Sequence, residues 1–500
     1  MTRPPARATT VVTLSLVLLF GGGCVAGEPR PATEASAPAM RQAPAILPAD
    51  QPNGPLYGIV WRPMTTQSSL SRLDPRTLLP VAGTRQLRVD DLVPWTVAPD
   101  RSVALFGPGE ASATDVAGDR PNDANVYVID LQHMRQVAVI KAPAEVGSPR
   151  AARWLGAGRV LLLGGRDKYE TVERAGVTSV VPRPVLVATI VDVTTRRVIT
   201  QRRYVPGGEA VAIEPAPDGI VVLLQPSDRI GTVAVGHVDA RAGLRQVRLG
   251  RVTAGFQRAP DGGDVGSRQI VPGLAVDGHG GRAYVVAAGS PVAEITLAGL
   301  DVGYHSLTTP GRAAPTVLGM LRRALVPATA PAAAKLQSGP ERHALWLGGG
   351  RLAVWGMDMD FRGTDGAVTG GSRPSGLQII DTRDWSVRTL DPTAGRLVRA
   401  ENRLVTAGVT ARSTDEGEGE GGQAATGDGL RIRAPGTRRP VHVYAGRPLE
   451  WIQAYGRYVY VDLADPNKPT AGEAGYAVID ARTGAVLDEY KGRMVPDLLK

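Results

Sequence analysis

The chain has 500 residues, a formal net charge of +9 and one cysteine. A hydrophobic fraction of 43% excludes a disordered chain, and a single cysteine excludes a disulfide framework, so the apolar core must hold the fold. The 61 glycines and 40 prolines favour many short strands joined by turns.

The N-terminal segment has the layout of an export signal. Arg3 and Arg7 precede an apolar run at residues 11–20, and small residues follow it before Cys24. The run has about 10 residues, whereas a helix needs about 20 to span a bilayer, so a transmembrane helix fits poorly. Residues 1–24 resemble a bacterial lipoprotein signal, although Gly21 stands where that family usually has leucine.

The resemblance implies a signal peptide over residues 1–23 and a lipid, diacylglycerol with palmitate, on Cys24. The chain would then be anchored at the extracytoplasmic face of the cell membrane. A plain secretory signal with a chance cysteine is the alternative. Nucleic acid is not expected as a partner outside the cytoplasm. Residues 24–50 are rich in proline and alanine, which predicts an extended tether.

The basic residues are spread along the whole sequence. They outnumber the acidic ones by 57 to 48, and no dense basic block is present. A basic surface would suit anionic lipids or cell-wall polymers. Without a block of like charge, a solvated surface of mixed sign is the preferred interpretation.

Residues 51–500 carry a repeated pattern. A turn of Gly, Asn, Asp or Pro recurs eight times, roughly every 50–60 residues, and an apolar β-rich run usually follows it. A second hairpin lies between these turns, and its first strand ends in aspartate in six units: Asp74, Asp130, Asp192, Asp239, Asp381 and Asp480. An aspartate here can accept backbone N–H groups and close the turn, helped by Thr77, Thr195 and Thr483. These aspartates are therefore predicted to be structural and not catalytic.

Four strands per unit predict one all-β domain, a β-propeller of four-stranded blades. Eight units are counted, and seven blades would result if the first unit merged with the last. Four tryptophans just before the first turns are predicted to pack between blades: Trp95, Trp154, Trp346 and Trp451. The chain resembles YVTN/quinoprotein-like propellers, through repeats best preserved as AVIDARTGAV at residues 477–486. That resemblance implies a fold and no particular activity.

Two insertions interrupt the repeat. Residues 315–336 have helical spacing and predict a short helix, and the acidic, Gly-rich segment Ser413–Gly429 predicts a disordered loop. Asp358, Asp360 and Asp365 could supply oxygen ligands to Ca²⁺, but their spacing departs from known Ca²⁺ loops. Another acidic set is weaker still: Asp115, Asp119 and Asp123. No metal site is predicted.

The sequence contains no catalytic motif and no cofactor motif. The six histidines are scattered singly, and no GxSxG, HExxH or Walker A pattern occurs. We therefore expect a non-enzymatic binding or scaffold module for envelope proteins or ligands. The alternative is a propeller enzyme of the quinoprotein dehydrogenase, lactonase or lyase type, with its site at the axial channel. Charged residues clustered there from several blades would favour the enzyme.

The lipid anchor can be tested directly. Replacing Cys24 with alanine removes the thiol that would receive the lipid, so the protein should leave the membrane fraction or accumulate as an unprocessed precursor. Fractionation of cells followed by mass spectrometry of the N-terminus measures both. A mature Cys24→Ala protein that remains membrane-bound would contradict the lipoprotein interpretation.

Overall fold

The structure is a computed structural model. It describes residues 54–61, 67–90, 92–108, 125–141, 149–156, 158–174, 177–226, 229–257, 268–307, 339–364, 367–408, 428–437, 439–447, 449–463 and 475–499. Within these ranges the chain forms strands and turns without a helix. No helix long and apolar enough to cross a bilayer is therefore present in them.

The first half of the described chain forms sixteen strands. They are β1 (Leu56–Trp61), β2 (Ser68–Leu73), β3 (Leu87–Arg88), β4 (Leu92–Val97), β5 (Val103–Pro108), β6 (Asn125–Asp130), β7 (Arg135–Lys141), β8 (Pro149–Gly156), β9 (Arg159–Arg174), β10 (Val177–Asp192), β11 (Arg197–Tyr204), β12 (Glu209–Ala216), β13 (Gly219–Gln225), β14 (Ile230–Asp239), β15 (Leu244–Gln257) and β16 (Arg268–Ile270).

The second half adds eighteen strands. They are β17 (Gly273–Asp277), β18 (Arg282–Val286), β19 (Val292–Thr296), β20 (Val302–His305), β21 (Gly339–Gly348), β22 (Arg351–Thr364), β23 (Ala367–Pro374), β24 (Leu377–Asp381), β25 (Ser386–Asp391), β26 (Ala394–Ala400), β27 (Arg403–Gly408), β28 (Leu430–Arg433), β29 (Val441–Val443), β30 (Leu449–Tyr455), β31 (Tyr458–Leu463), β32 (Tyr476–Asp480), β33 (Val486–Tyr490) and β34 (Asp497–Leu498).

These strands form eight antiparallel sheets, the blades of a single β-propeller. Blades 2 to 8 begin at β4, β8, β12, β17, β21, β26 and β30, and blade 1 contains β1 to β3. Six blades have four strands, while blades 4 and 6 carry a fifth, β16 and β23. The prediction of an all-β propeller with eight units is confirmed, and the seven-blade alternative is wrong.

The core is divided among the blade interfaces. Each of eight clusters of buried apolar side chains joins two neighbouring blades. Between blades 1 and 2, for example, Tyr57 and Ile59 pack with Ala104 and Phe106. The first strands of successive blades contact one another, for example β4 with β8 and β12 with β17. These first strands therefore lie around the axis of the ring. Each blade thus buries its two faces only against its neighbours.

The C-terminal strand closes the ring. Blade 1 has the order β3-β2-β1-β34. Its innermost strand is β34, in the place that β4 holds in blade 2 and β8 holds in blade 3. Gly58 pairs with Leu498 and Ile59 with Asp497. The first sequence unit lacks its own inner strand because β34 replaces it.

Arg101 holds the two ends of the described chain together. Its Nε donates to the Pro55 carbonyl at 3.0 Å and its Nη2 donates to the Leu499 carbonyl at 3.0 Å. The guanidinium also lies over the Tyr455 ring, 5.5 Å from its centroid. The side chain is buried, and burial lowers the pKa of Arg101 below its usual range. Blades 1, 2 and 8 therefore meet at one cation.

The aspartate turns have the predicted structural role. The six aspartates accept N–H groups from the residues that follow them, as Asp74 does from Arg76 at 2.8 Å and Asp480 from Arg482 at 2.8 Å. Asp239 accepts a second N–H, from Gly243. In the units without this aspartate, the corresponding turns are held by Thr296 with Asp301 and by Thr437.

The tryptophans mostly pack between blades as predicted. Trp95 and Trp154 lie against the cluster that joins blades 2 and 3. Trp346 stacks on Tyr284 of the neighbouring blade, with ring centroids 5.1 Å apart. Trp451 is half-buried and belongs to none of the described clusters. The export signal, the tether, the 315–336 segment and most of Ser413–Gly429 lie outside the described residues.

We expect closure to depend on Arg101. Arg101→Met keeps the aliphatic bulk but leaves the Pro55 and Leu499 carbonyls without a donor. The free energy of unfolding should fall by about 3 kcal/mol, measured by denaturant titration.

Arg388→Met is the matched control for that variant. Arg388 is exposed on the outer strand of blade 6, so its replacement should change stability by less than about 0.5 kcal/mol. Equal effects of the two variants would contradict a closing role for Arg101.

Candidate functional site

The two faces of the ring differ. In an antiparallel blade the turns after the first and third strands lie at one end, and the connections after the second and fourth lie at the other. The first end carries the short aspartate turns, and we call it the tight-turn face. At the second, the insert face, the described strands end and resume on either side of the long connections: residues 109–124, 306–338, 409–429 and 464–475. The β9–β10 and β22–β23 hairpins also extend there.

A cleft of about 540 Å³ opens on the insert face between blades 5 and 6. Blade 5 contributes the turn from Val286 to Ser290, and blade 6 contributes β21, β22 and the segment from Arg373 to Ile380. Leu307, near the start of the 306–338 connection, also lines it. The volume lies in the range of ligand pockets of about 300–1,000 Å³.

Three charged side chains define the chemistry of the cleft. Arg342 pairs with Asp358 at 2.7 Å, and its Nη1 also donates to the Glu341 carbonyl at 2.8 Å. Arg373 lies directly opposite Asp358 in the β22–β23 ladder and is exposed. Since Asp358 neutralises Arg342, and no described carboxylate pairs with Arg373, the cleft has one uncompensated positive charge.

Two glycines shape the walls of the cleft. Gly289 has φ +74° in the blade 5 turn and Gly376 has φ +78° beside Arg373, a region that disfavours other residues. A Cβ at Gly376 would also lie 2.8 Å from the Asp391 carbonyl oxygen. A side chain at either position would therefore strain the wall of the cleft.

A second polar cluster on the same face is already satisfied. Asp391 accepts hydrogen bonds from Thr406, at 2.6 Å, and from the Thr393 backbone, and Arg431 bridges Asp391 and Asp428. Burial acts to raise the pKa of Asp391, but these donors outweigh it and the pKa is lowered. The cluster ties together the base of the 409–427 connection, and its groups are engaged by one another.

The inner strands place one residue per blade at an equivalent register, and we call these eight residues the axial ring. They are Leu499, Thr96, Arg153, Glu214, Ala275, Leu345, Val398 and Gln453. Burial raises the pKa of Glu214 to about 7 and lowers that of Arg153. Among the described residues, neither side chain has a hydrogen-bond partner. The Nε of Arg153 is also buried.

Of the first set of candidate metal ligands, the structure describes the side chain of Asp358 alone. Asp358 pairs with Arg342, Asp360 lies on β22 with its side chain outside the description, and Asp365 is outside the described residues. Asp115, Asp119 and Asp123 are outside them as well. In the described part of the chain, no three His, Cys, Asp or Glu side chains could hold a metal ion.

Comparisons with known proteins show the fold alone. No protein-family model and no curated protein matches the chain. Solved structures that match include the dihydro-heme d1 dehydrogenase NirN in complex with DHE, at 13% identity and a TM-score of 0.42, over 90% of this chain and 77% of that one. BamB from Moraxella catarrhalis matches at 10% identity and a TM-score of 0.35, over 81% of this chain and 92% of that one. The WD40 domain of SCAP from fission yeast matches at 8% identity and a TM-score of 0.38, over 82% of this chain and 92% of that one.

Glu214 predicts a pH dependence of stability. Its folded pKa of about 7 exceeds the ordinary 4.5, so the wild type should lose stability as pH rises from about 4.5 through 7. Glu214→Gln mimics the protonated carboxyl and should match the wild type at the acid end. Above pH 7 it should be more stable by about 3 kcal/mol, at about 1.4 kcal/mol per pKa unit. Denaturant titrations of both proteins across this range measure the gap, and parallel stability curves would contradict the assignment.

Proposed function

We propose that this propeller is a lipid-anchored, extracytoplasmic binding module whose insert face receives a protein or envelope ligand. One observation carries the proposal: the long connections and the cleft share one face, while aspartate-capped turns close the other. Binding residues concentrate on loops held by a rigid scaffold, since loop length can change there without disturbing the packed strands.

The point where the chain enters the ring supports an orientation in which the insert face is directed away from the membrane. The described residues begin at Gly54, whose carbonyl accepts a hydrogen bond from the Tyr455 hydroxyl at 2.8 Å. Tyr455 and Arg101 belong to the first turns of blades 8 and 2, so Gly54 lies on the tight-turn face. A tether from a lipid on Cys24 would join the ring there, which would leave the insert face directed away from the membrane.

The cleft suggests the chemistry of the ligand. Arg373 offers an exposed guanidinium with planar donors that match a carboxylate or phosphate, and Val354, Pro374 and Leu307 provide apolar contact beside it. We infer that the ligand presents an acidic group on an extended segment, as a protein partner or an envelope component could.

An axial enzyme is the second candidate. Glu214 favours it, because a carboxyl group with a pKa near neutrality suits general acid–base chemistry. The other seven positions of the axial ring, however, supply neither a second carboxyl group nor a histidine. The binding module is therefore the better supported function.

Arg373 provides the test of the binding face. Arg373→Glu reverses the uncompensated charge of the cleft, so an acidic ligand should bind at least tenfold more weakly, a loss of about 1.4 kcal/mol or more. The native membrane-bound protein is used for affinity capture, and binding of each captured partner is then titrated with wild-type and variant protein.

The control for this experiment is Arg388→Glu. It makes the same charge change on the outer strand of the same blade, away from the cleft, and should leave binding unchanged. Equal capture by both variants would contradict a ligand site in the cleft. Turnover of a small substrate that Glu214→Gln abolishes would favour the axial enzyme instead.

A further inference from the structure

The fourth strands of blades 3 and 4 carry a concentration of positive charge. Eight exposed arginines lie on β11, on β15 and in the turns that precede them: Arg196, Arg197, Arg202, Arg203, Arg241, Arg245, Arg248 and Arg251. Residues 193–208 and 240–257 contain no Asp or Glu. We call these eight residues the arginine band. The band comes from two separate segments, so no single stretch of the sequence forms a dense basic block.

Contacts between blades make the band continuous. The Tyr204 hydroxyl at the end of β11 donates to the Ala242 carbonyl in the blade 4 turn at 2.5 Å. From blade 4, Arg245 donates to the Ala298 carbonyl of blade 5 at 2.6 Å. Arg251 lies over the Tyr304 ring, 5.4 Å from its centroid. Each fourth strand therefore contacts the next blade, so the arginines of the two segments lie on adjoining blades.

The band is largely unneutralised. Seven of its members, all except Arg203, form no salt bridge with a carboxylate in the part of the chain that the structure describes. The nearby Asp192 and Asp239 accept backbone N–H groups in their own turns. Like charges held this close repel one another, so an anionic partner would relieve a cost that is present in the free protein.

Exposed apolar side chains lie among the arginines. Ile199 on β11 is 48% exposed, and Val205, just after it, is 65% exposed, the highest value among the large apolar side chains described. A hydrated polyanion gives such groups nothing apolar to contact. A lipid surface accommodates both, because headgroups attract the cations while the interface takes up the apolar groups.

We propose that the arginine band docks on an anionic lipid surface. The position of the band agrees with this, since Arg196 and Arg241 lie in tight-turn-face turns and Gly54 enters the ring on the same face. The inference rests on the proposed lipid anchor in one respect: the tether would hold the band near the membrane, within a typical reach of about 30 Å for about 30 residues.

The test uses the full-length protein and its lack of other cysteines. If Cys24 carries the lipid, Gln246→Cys on β15 gives a single reactive thiol within the band. The protein is labelled there with an environment-sensitive fluorophore and reconstituted into phosphatidylcholine vesicles with or without phosphatidylglycerol. Emission should shift to the blue only with phosphatidylglycerol and should return on adding salt. Val486→Cys, on blade 8 across the ring, should not respond.

Removing charge should abolish the response. Arg197→Ser, Arg202→Ser and Arg248→Ser combined should lower the docked-to-free ratio about a hundredfold, since each basic residue near an anionic membrane contributes about fivefold. The control combines Arg388→Ser, Arg439→Ser and Arg493→Ser, which are exposed on other blades, and should keep the shift.

Three results would overturn the proposal. Emission that does not depend on phosphatidylglycerol would exclude docking on anionic lipid. An equal shift at Val486→Cys would exclude the band as the contact. A full shift caused by soluble poly(glycerol phosphate) in neutral vesicles would assign the band to an anionic polymer. Failure of the anchor is separate, since the labelled protein would then stay in the supernatant of neutral vesicles.

Discussion

Ring closure is the constraint on which the rest of this structure depends. A single four-stranded blade cannot bury both of its faces, and the described core consists of eight clusters that each need two blades. The ring is complete only where β34 pairs with β1, and Arg101 binds the carbonyls that flank this junction. Burying a guanidinium is costly unless its donors are engaged, and here they join the two ends of the described chain.

Closure also makes the two faces of the ring different. The antiparallel order of strands sends every first and third turn to one face, and local aspartate hydrogen bonds keep those turns short. On the other face, the connections between strands vary in length and charge. There Arg342, Asp358 and Arg373 line a cleft built from two blades. Short turns held by local hydrogen bonds and the charged cleft thus lie on opposite faces of the ring and share no residues.

The sequence predicted what is local and periodic. The blade repeat and the aspartate turns depend on residues a few positions apart, so pattern alone was sufficient for them. The cleft, the axial ring and the arginine band combine residues from different blades. The blade 5 turn from Val286 to Ser290 lines the cleft together with Arg373 of blade 6, and Arg153 matches Glu214 only through equivalent registers. The strand exchange at β34 was missed because two residues, Asp497 and Leu498, are too few to show a period.

The late position of β34 has a consequence for how this chain matures. Blade 1 lacks its inner strand until Asp497 and Leu498 are available, and in chain order these residues follow all the other described strands. Until then the face of β1 that Leu498 covers stays open, and Arg101 has only one of its two carbonyl partners. Loss of β34 would therefore leave an unclosed ring with an exposed strand edge, the kind of species that quality-control proteases remove.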